Sequence, residues 1–346
     1  MHFIFSIGCT SYLATLINYN KKMNKNLPII KQVVLGMGGT IEEFVPERNC
    51  LYINVLGKHI LIEHDISITR QSFISAKLTK CKEITHKLLR VNNLPSPKTI
   101  CLYYRSYNRV EAIKKLDKLR YPIILKKATG SNSREIFLNI GDSKEAIKIF
   151  EKNLSRYKSM IAQEMVFGKE YRVLVLGERV IGALEMIHPH VVGDGISTIK
   201  KIIRQNQLVT KKQTEFDKKL KQILKSQNVS LKTILPKKKI IYFKNNSCLA
   251  EGGETRDVTD TVHKDVKNIC VSASKAVGKY LVGVDVICND ISKQQTKKSF
   301  NILEINGKPD LYIHYNPTYG KTRNVLKVVL KFLAKVSVPL PSGGKM

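Results

Sequence analysis

Residues 300–306 read FNILEIN, from Phe300 to Asn306. In a strand, side chains two apart share a side, so Glu304 and Asn306 present a carboxylate and an amide oxygen next to each other. Upstream, GVDVIC (Gly283 to Cys288) is a second short apolar strand with a single acid, Asp285. An acid with apolar residues on both flanks does not read as a solvated face. Three hard oxygen donors on adjacent strands suit Mg²⁺ (or Mn²⁺) held together with a nucleotide's phosphates. The competing reading is strand-end polar residues turned to solvent.

Working outward, Leu51 to Glu63 reads as two strands around a turn at Gly57. Lys77 to Val91 reads as an amphipathic helix that stops before Pro95 and Pro97. Asn108 and Glu111 form a capping box for a helix to about Leu119. Tyr121 to Lys126 is a buried strand, and Ser143 to Asn153 a further helix. Met160–Met165, Tyr171–Leu176 and Val180–Ile187 read as strands, the first two flanking a turn at Gly168. Residues 199–239 are rich in lysine and partly helical. Val266–Val277 and Lys321–Val336 have helical periodicity. Strands and helices mix without strict βαβ alternation, so the fold class is α+β.

Lys126 ends the apolar run YPIILK, where a lysine can set a point charge on a phosphate. The small polar loop Thr129 to Arg134, with Ser131 and Ser133, could wrap phosphates with backbone N–H groups, although it matches neither a Walker loop nor GxGxxG. Glu170, after Gly168 and Lys169, suits a ribose; the bland alternative is a charged hairpin turn. His188 and His190 form HxH, but no ligand cluster follows them.

The chain has 346 residues, 43% hydrophobic and 25% charged, an ordinary globular composition with length enough for a real core. Lys plus Arg number 59 against 28 Asp plus Glu, a net charge of +31 spread along the chain. This attracts anions, and a lysine-biased proteome would give the same excess. No recognised nucleic-acid motif accompanies the charge, so nucleic-acid binding ranks low. The 7 cysteines are scattered without a CxxC pair, which argues against a disulfide framework or zinc site and for a reducing, cytoplasmic setting. Residues 1–20 are apolar but interrupted and short for a membrane span. Lys21, Lys22 and Met23 follow, and Met23 is an alternative start.

Taken in order, KCKEITHKLL (80–89), LPSPK (94–98), YPIILK (121–126), GKEYRVLVLG (168–177), HVVGDGISTI (190–199), GGETRDVTD (252–260), GVDVI (283–287) and LEINGKPD (303–310) resemble the ATP-grasp superfamily. The resemblance is to the ATP-grasp region of cyanophycin synthetases and their shorter relatives, over about Ser75 to Val336. It implies two α+β subdomains gripping MgATP behind a short N-terminal subdomain. The expected division is 1–74, a small lid subdomain 75–165, a large subdomain 166–336 and a tail 337–346.

The implied roles are residue by residue. Lys82 and Lys126 contact the nucleotide, with Ser131 and Ser133 in the phosphate loop. Gln163, Glu164 and Val166 form the adenine hinge, and Glu170 takes the ribose. Asp285, Glu304 and Asn306 hold Mg²⁺, and Arg172 and His190 lie near the phosphates or the acceptor. The departures are Cys81 for an acid, Gln163 for a hinge glutamate, Ser133 and Glu135 for glycines, Met186 for an arginine, Ala250 and Glu251 for a Ser-Thr pair, and Asp310 for a glycine.

The expected function is ATP-dependent carboxylate–amine ligation through an acylphosphate, on an amino acid or acidic peptide. The alternative is a weakened ATP-grasp protein that binds nucleotide as a regulatory or scaffold module, which the altered loop would favour. No membrane span is expected, and a homo-oligomer is compatible with the sequence.

Overall fold

The structure is a computed structural model, and it describes residues 26–45, 50–63, 75, 78–129, 136–154, 156–205, 218–242, 253–297 and 299–336. Contacts divide the chain into two units.

The first unit holds a helix α1 (Asn26–Leu35) and an antiparallel sheet of β1 (Thr40–Val45), β2 (Cys50–Val55) and β3 (Lys58–Glu63). The closing helix Val325–Val336 belongs here too, against α1 and β3, although its sequence position groups it with the large subdomain. Ile30, Val34, Ile53, Val55, Val329 and Leu330 fill the core. The β2–β3 turn uses Leu56 and Gly57, both at positive φ (53° and 72°), the left-handed pair that matches the twist of a hairpin. The closing helix starts at Val325, later than its periodicity suggests, because Lys327 N donates to the Asn324 side chain, which caps it.

The second unit opens with α2 (Lys82–Val91). Its start also falls later than the apolar pattern predicts. Cys81 bridges to Thr129 and Lys82 N donates to Ala128 O, so the chain just before α2 is extended. Next come β4 (Thr99–Tyr103), α3 (Arg109–Leu116), β5 (Ile123–Lys127), β6 (Ile136–Ile140), α4 (Ser143–Lys152) and β7 (Ser159–Glu164). The strands form an antiparallel sheet in the order β4-β7-β5-β6. Helices α3 and α4 share its core of Leu116, Ile123, Leu125, Ile147 and Phe150. Asn108 and Asp142 cap the two helices through the amides of Glu111 and Glu145.

Strands β8 (Lys169–Leu176) and β9 (Arg179–Ile187) lead to a module of β10 (His190–Val192), α5 (Ile199–Gln205), α6 (Lys218–Ser226) and β11 (Ile240–Tyr242). The module has its own core of Val191, Ile199, Ile203, Leu224, Leu235 and Ile241. The chain then forms β12 (Glu254–Asp257), α7 (Lys264–Ala276), β13 (Leu281–Cys288) and β14 (Phe300–Asn306). The result is a five-stranded antiparallel sheet, β12-β9-β8-β13-β14. Val173, Val175, Val282, Val284 and Val286 on one face share a core with Val266, Cys270 and Ala273 of α7. Mixed helices and antiparallel sheets make the chain α+β, as the sequence implies.

The pairing of β13 with β14 decides where the acids lie. Asp285 pairs with Glu304 but Val286 pairs with Ile302, so Leu303 is an extra residue, a β-bulge. Plain alternation would put Ile302 and Glu304 on one face. The bulge instead sends Phe300, Ile302 and Ile305 into the core and turns Glu304 and Asn306 to the other face.

Candidate active site

The face away from α7 carries Glu170 and Arg172 from β8, Asp285 from β13, and Glu304 and Asn306 from β14. Their register places them on one side: Asp285 lies opposite Arg172 and Glu304, and Ile287 lies opposite Glu170. The Arg172 guanidinium grips Asp285 with two parallel bonds, Nε to Oδ1 at 2.7 Å and Nη2 to Oδ2 at 2.8 Å. Such a fork is the strong geometry for an arginine–carboxylate pair. Burial works against the charge on Arg172, but the Asp285 carboxylate outweighs it and holds the guanidinium above its ordinary pKa. Asn306 Nδ2 also donates to Asp285 Oδ2 at 2.9 Å, leaving its amide oxygen as an acceptor.

The four-stranded sheet and α2 bring the lysines. Lys82, the first residue of α2, donates to Glu304 Oε1 at 2.9 Å. Lys126, near the end of β5, is buried and donates to Gln163 Oε1 at 3.0 Å. Burial pushes its pKa down to about 8; Lys82 adds to the fall, while Glu304, Asp285 and Glu170 oppose it. That coupling gathers both lysines and the three acids into one electrostatic cluster. Gln163 Nε2 in turn lies 2.9 Å from His86 Nε2 and donates to Thr99 Oγ1 at 2.9 Å. Burial, then Lys126 and Lys82, lower His86 to about 3, so its ring is neutral.

Other expected site residues lie elsewhere. Glu164 accepts from the Arg120 amide at 3.0 Å and from its guanidinium at 3.1 and 2.8 Å, so its carboxylate is committed to Arg120. Val166 is half-buried in the connection between β7 and β8. His190 sits on the module, its Nε2 3.9 Å from Glu254 and its ring packed on Tyr242. His188 Nε2 lies 3.7 Å from Glu170, which links the module to the cluster. Ser131 and Ser133, with Glu135, Ala250 and Glu251, lie outside the described residues.

The two most distinctive motifs have structural uses here. In HVVGDGISTI, Asp194 accepts from the amides of Ile196 and Ser197 at 2.8 and 2.7 Å. In GGETRDVTD, Asp257 accepts from Arg323 at 3.1 and 2.8 Å, and Asp260 pairs with Arg323 at 2.7 Å.

Sequence reasoning missed His86, Thr99, Arg120 and His314. His86 stands four residues after Lys82, the spacing that places two side chains on one helix face. His314 is fully buried against Gly182, where an added Cβ would lie 2.7 Å from its Nδ1. Neither of its ring nitrogens has a hydrogen-bond partner among the described residues.

The donor set of Asp285, Glu304 and Asn306 fits a hard divalent cation. It offers two carboxylates and an amide oxygen across neighbouring strands, with lysines beside them for the anions of a bound nucleotide. Among the described residues no three His, Cys, Asp or Glu side chains gather into a metal cluster, so the asparagine is needed to complete the set.

Comparison with known proteins agrees with this geometry. Residues 79–195 match the RimK-like ATP-grasp domain. The chain is 29% identical over 278 residues to the glutathione biosynthesis bifunctional protein GshAB of Clostridium perfringens, covering 77% of this chain and 35% of that one. It is 29% identical over 284 residues to the cyanophycin synthetase of Synechocystis, covering 78% and 32%. The chain therefore spans about a third of the length of these curated relatives. The crystal structure of a bifunctional glutathione synthetase from Pasteurella multocida superposes with a TM-score of 0.64 at 21% identity, over 88% of this chain and 43% of that one. The fold is the ATP-grasp fold. Within it, residues 79–195, from just before α2 through β10, are similar to the RimK-like ATP-grasp domain.

Proposed function

We propose that the protein is an ATP-dependent carboxylate–amine ligase, with 75–165 as the small ATP-grasp subdomain. The observation that carries this reading is the cluster itself. Lys82 and Lys126 reach it from α2 and β5, and they meet Asp285, Glu304 and Asn306 on the face of a second sheet. Cations and hard oxygen donors set side by side suit a phosphorylated ligand and its metal. In this reading Lys82 and Lys126 contact phosphates. Gln163, Glu164 and Val166 edge the adenine, Glu164 through its backbone because Arg120 holds its carboxylate. Glu170 takes the ribose, and Arg172 and His190 face the acceptor side.

Asp285, Glu304 and Asn306 would hold Mg²⁺, which supplies charge neutralisation at the phosphates. The chain's own work is positioning. Burial keeps Lys126 free of water's competition, and Gln163 orients it without a negative charge of its own. The substrate carboxylate would be phosphorylated and the phosphate then displaced by an amine, so no covalent protein nucleophile is required. Amino acids and peptides are the proposed substrates.

The test is phosphate release from MgATP across a panel of amino acids and acidic peptides, with and without an amine acceptor. Amine-dependent release supports ligation. Tight MgATP binding without release on any member would replace it with the nucleotide-binding scaffold. The cytoplasmic setting belongs to the same proposal; among the described residues no helix is long and apolar enough to cross a membrane.

A further inference from the structure

The module from His190 to Tyr242 has a feature that nucleotide chemistry does not use. In the β10–β11 ribbon, His190 pairs with Tyr242, Val191 with Ile241 and Val192 with Ile240. Directly opposed residues share a face, and so do residues two apart. Val191 and Ile241 turn into the module's core. His190, Val192, Ile240 and Tyr242 therefore form the other face. Val192, Ile240 and Tyr242 are 46%, 45% and 46% exposed, and Ile196 and Ile234 on the same module are 79% and 52% exposed. A module that can bury eight apolar side chains has no folding reason to leave these five in water.

Charge gives the partner's sign. Residues 190–242 hold 13 Lys and Arg against three acids, Asp194, Glu215 and Asp217. Asp194 is committed to the backbone amides of Ile196 and Ser197. Lys221, Lys225, Lys232 and Lys237 to Lys239 are exposed, and the last three lead directly into Ile240. The cluster around Lys126 is balanced by its own carboxylates, whereas among the described residues of the module Asp194 alone faces the lysines' charge. Its root lies at the site: His188 stands 3.7 Å from Glu170 on the central strand β8, and His190 3.9 Å from Glu254 on the edge strand β12.

We propose that the β10–β11 face and the Lys237–Lys239 turn are a docking strip for an acidic polypeptide, holding it in extended form outside the reaction centre. This rests on the ligase reading for what the docked chain is used for, but the docking itself needs no turnover. Aliphatic and tyrosine side chains in a ribbon suit the stems of glutamate and aspartate, and the lysines suit their carboxylates. A nucleic acid would use the lysines but has no use for Val192 and Ile240.

The test uses the full chain without nucleotide. A fluorescein-labelled hexadecamer of glutamate is titrated and followed by anisotropy, with a single-stranded oligonucleotide of equal charge as the rival probe. The glutamate peptide should bind more tightly than the oligonucleotide. The triple variant Lys237→Gln, Lys238→Gln, Lys239→Gln should weaken peptide binding at least tenfold and flatten its salt dependence. The double variant Val192→Ser, Ile240→Ser should weaken it several-fold with the salt dependence kept. Both variants should bind MgATP as the parent does, which shows that they are folded. Peptide binding untouched by both variants, or tighter binding of the oligonucleotide, overturns the proposal. Docking retained in a chain that releases no phosphate would count against the ligase reading alone.

Discussion

The site cluster and the 190–242 module treat charge in opposite ways. In the cluster the buried and half-buried charges come in pairs: Arg172 with Asp285, Lys82 with Glu304, and Lys126 under the pull of three carboxylates. On the module, exposed lysines crowd a surface whose described acid, Asp194, is spent on its own loop. An isolated charge in the interior costs several kcal/mol, so burial enforces pairing, whereas water screens exposed charges and lets them accumulate. Each residue of the cluster is therefore expensive to change. Residues of the module are cheap singly and act in sum.

The largest effect should follow Asp285→Asn, which takes the fork partner from the half-buried Arg172 guanidinium. Breaking a pair of this kind costs about 3–5 kcal/mol. Chemical denaturation should show a loss of that size, and a change below about 1 kcal/mol would erase the contrast between the regions. Next, Lys126→Ala should weaken MgATP binding at least tenfold, about 1.4 kcal/mol. Unchanged affinity in calorimetry would remove Lys126 from the nucleotide site.

The same lysine predicts a pH dependence. Its folded pKa of about 8 lies below the ordinary 10.5, so the folded chain releases this proton first. MgATP affinity should fall as pH rises through about 8, and more gently in Lys126→Arg. This group's contribution to stability has the reverse sign: it is unfavourable below about pH 8 and improves from there toward 10.5. Parallel pH profiles in parent and variant would show that Lys126 is not the titrating group. The smallest effect belongs to the module. The Lys237–Lys239 triple glutamine variant should shift unfolding by no more than about 0.5 kcal/mol. A larger loss would reveal that these lysines have structural partners.

The α+β class was legible because apolar alternation marks β8, β9, β13 and β14 directly. β12 was not, since its residues ETRD include no apolar side chain and only pairing to β9 makes it a strand. Helix α2 begins late for a similar reason: Cys81 is held by Thr129, far along the chain. In the site, Asp285, Glu304, Asn306 and Lys126 stood out as polar groups in apolar strands. Lys82 and Gln163 came only through family resemblance. The contacts Arg120–Glu164 and His86–Gln163 join residues 44 and 77 positions apart, beyond any local pattern.

The extra residue in β14 gives that strand an unusual tolerance of losing one residue. Deleting Leu303 would remove the bulge and leave Ile302, Glu304, Ile305 and Asn306 in plain alternation, so Ile302 would stay on the side of Val266 and Cys270 and the Glu304 carboxylate on the face of Asp285. A conservative substitution at Leu303 also costs little, because its side chain is only half-buried. Relatives that keep this chemistry should therefore vary freely in residue type at position 303, and a single-residue gap there should leave their site acids on the same face.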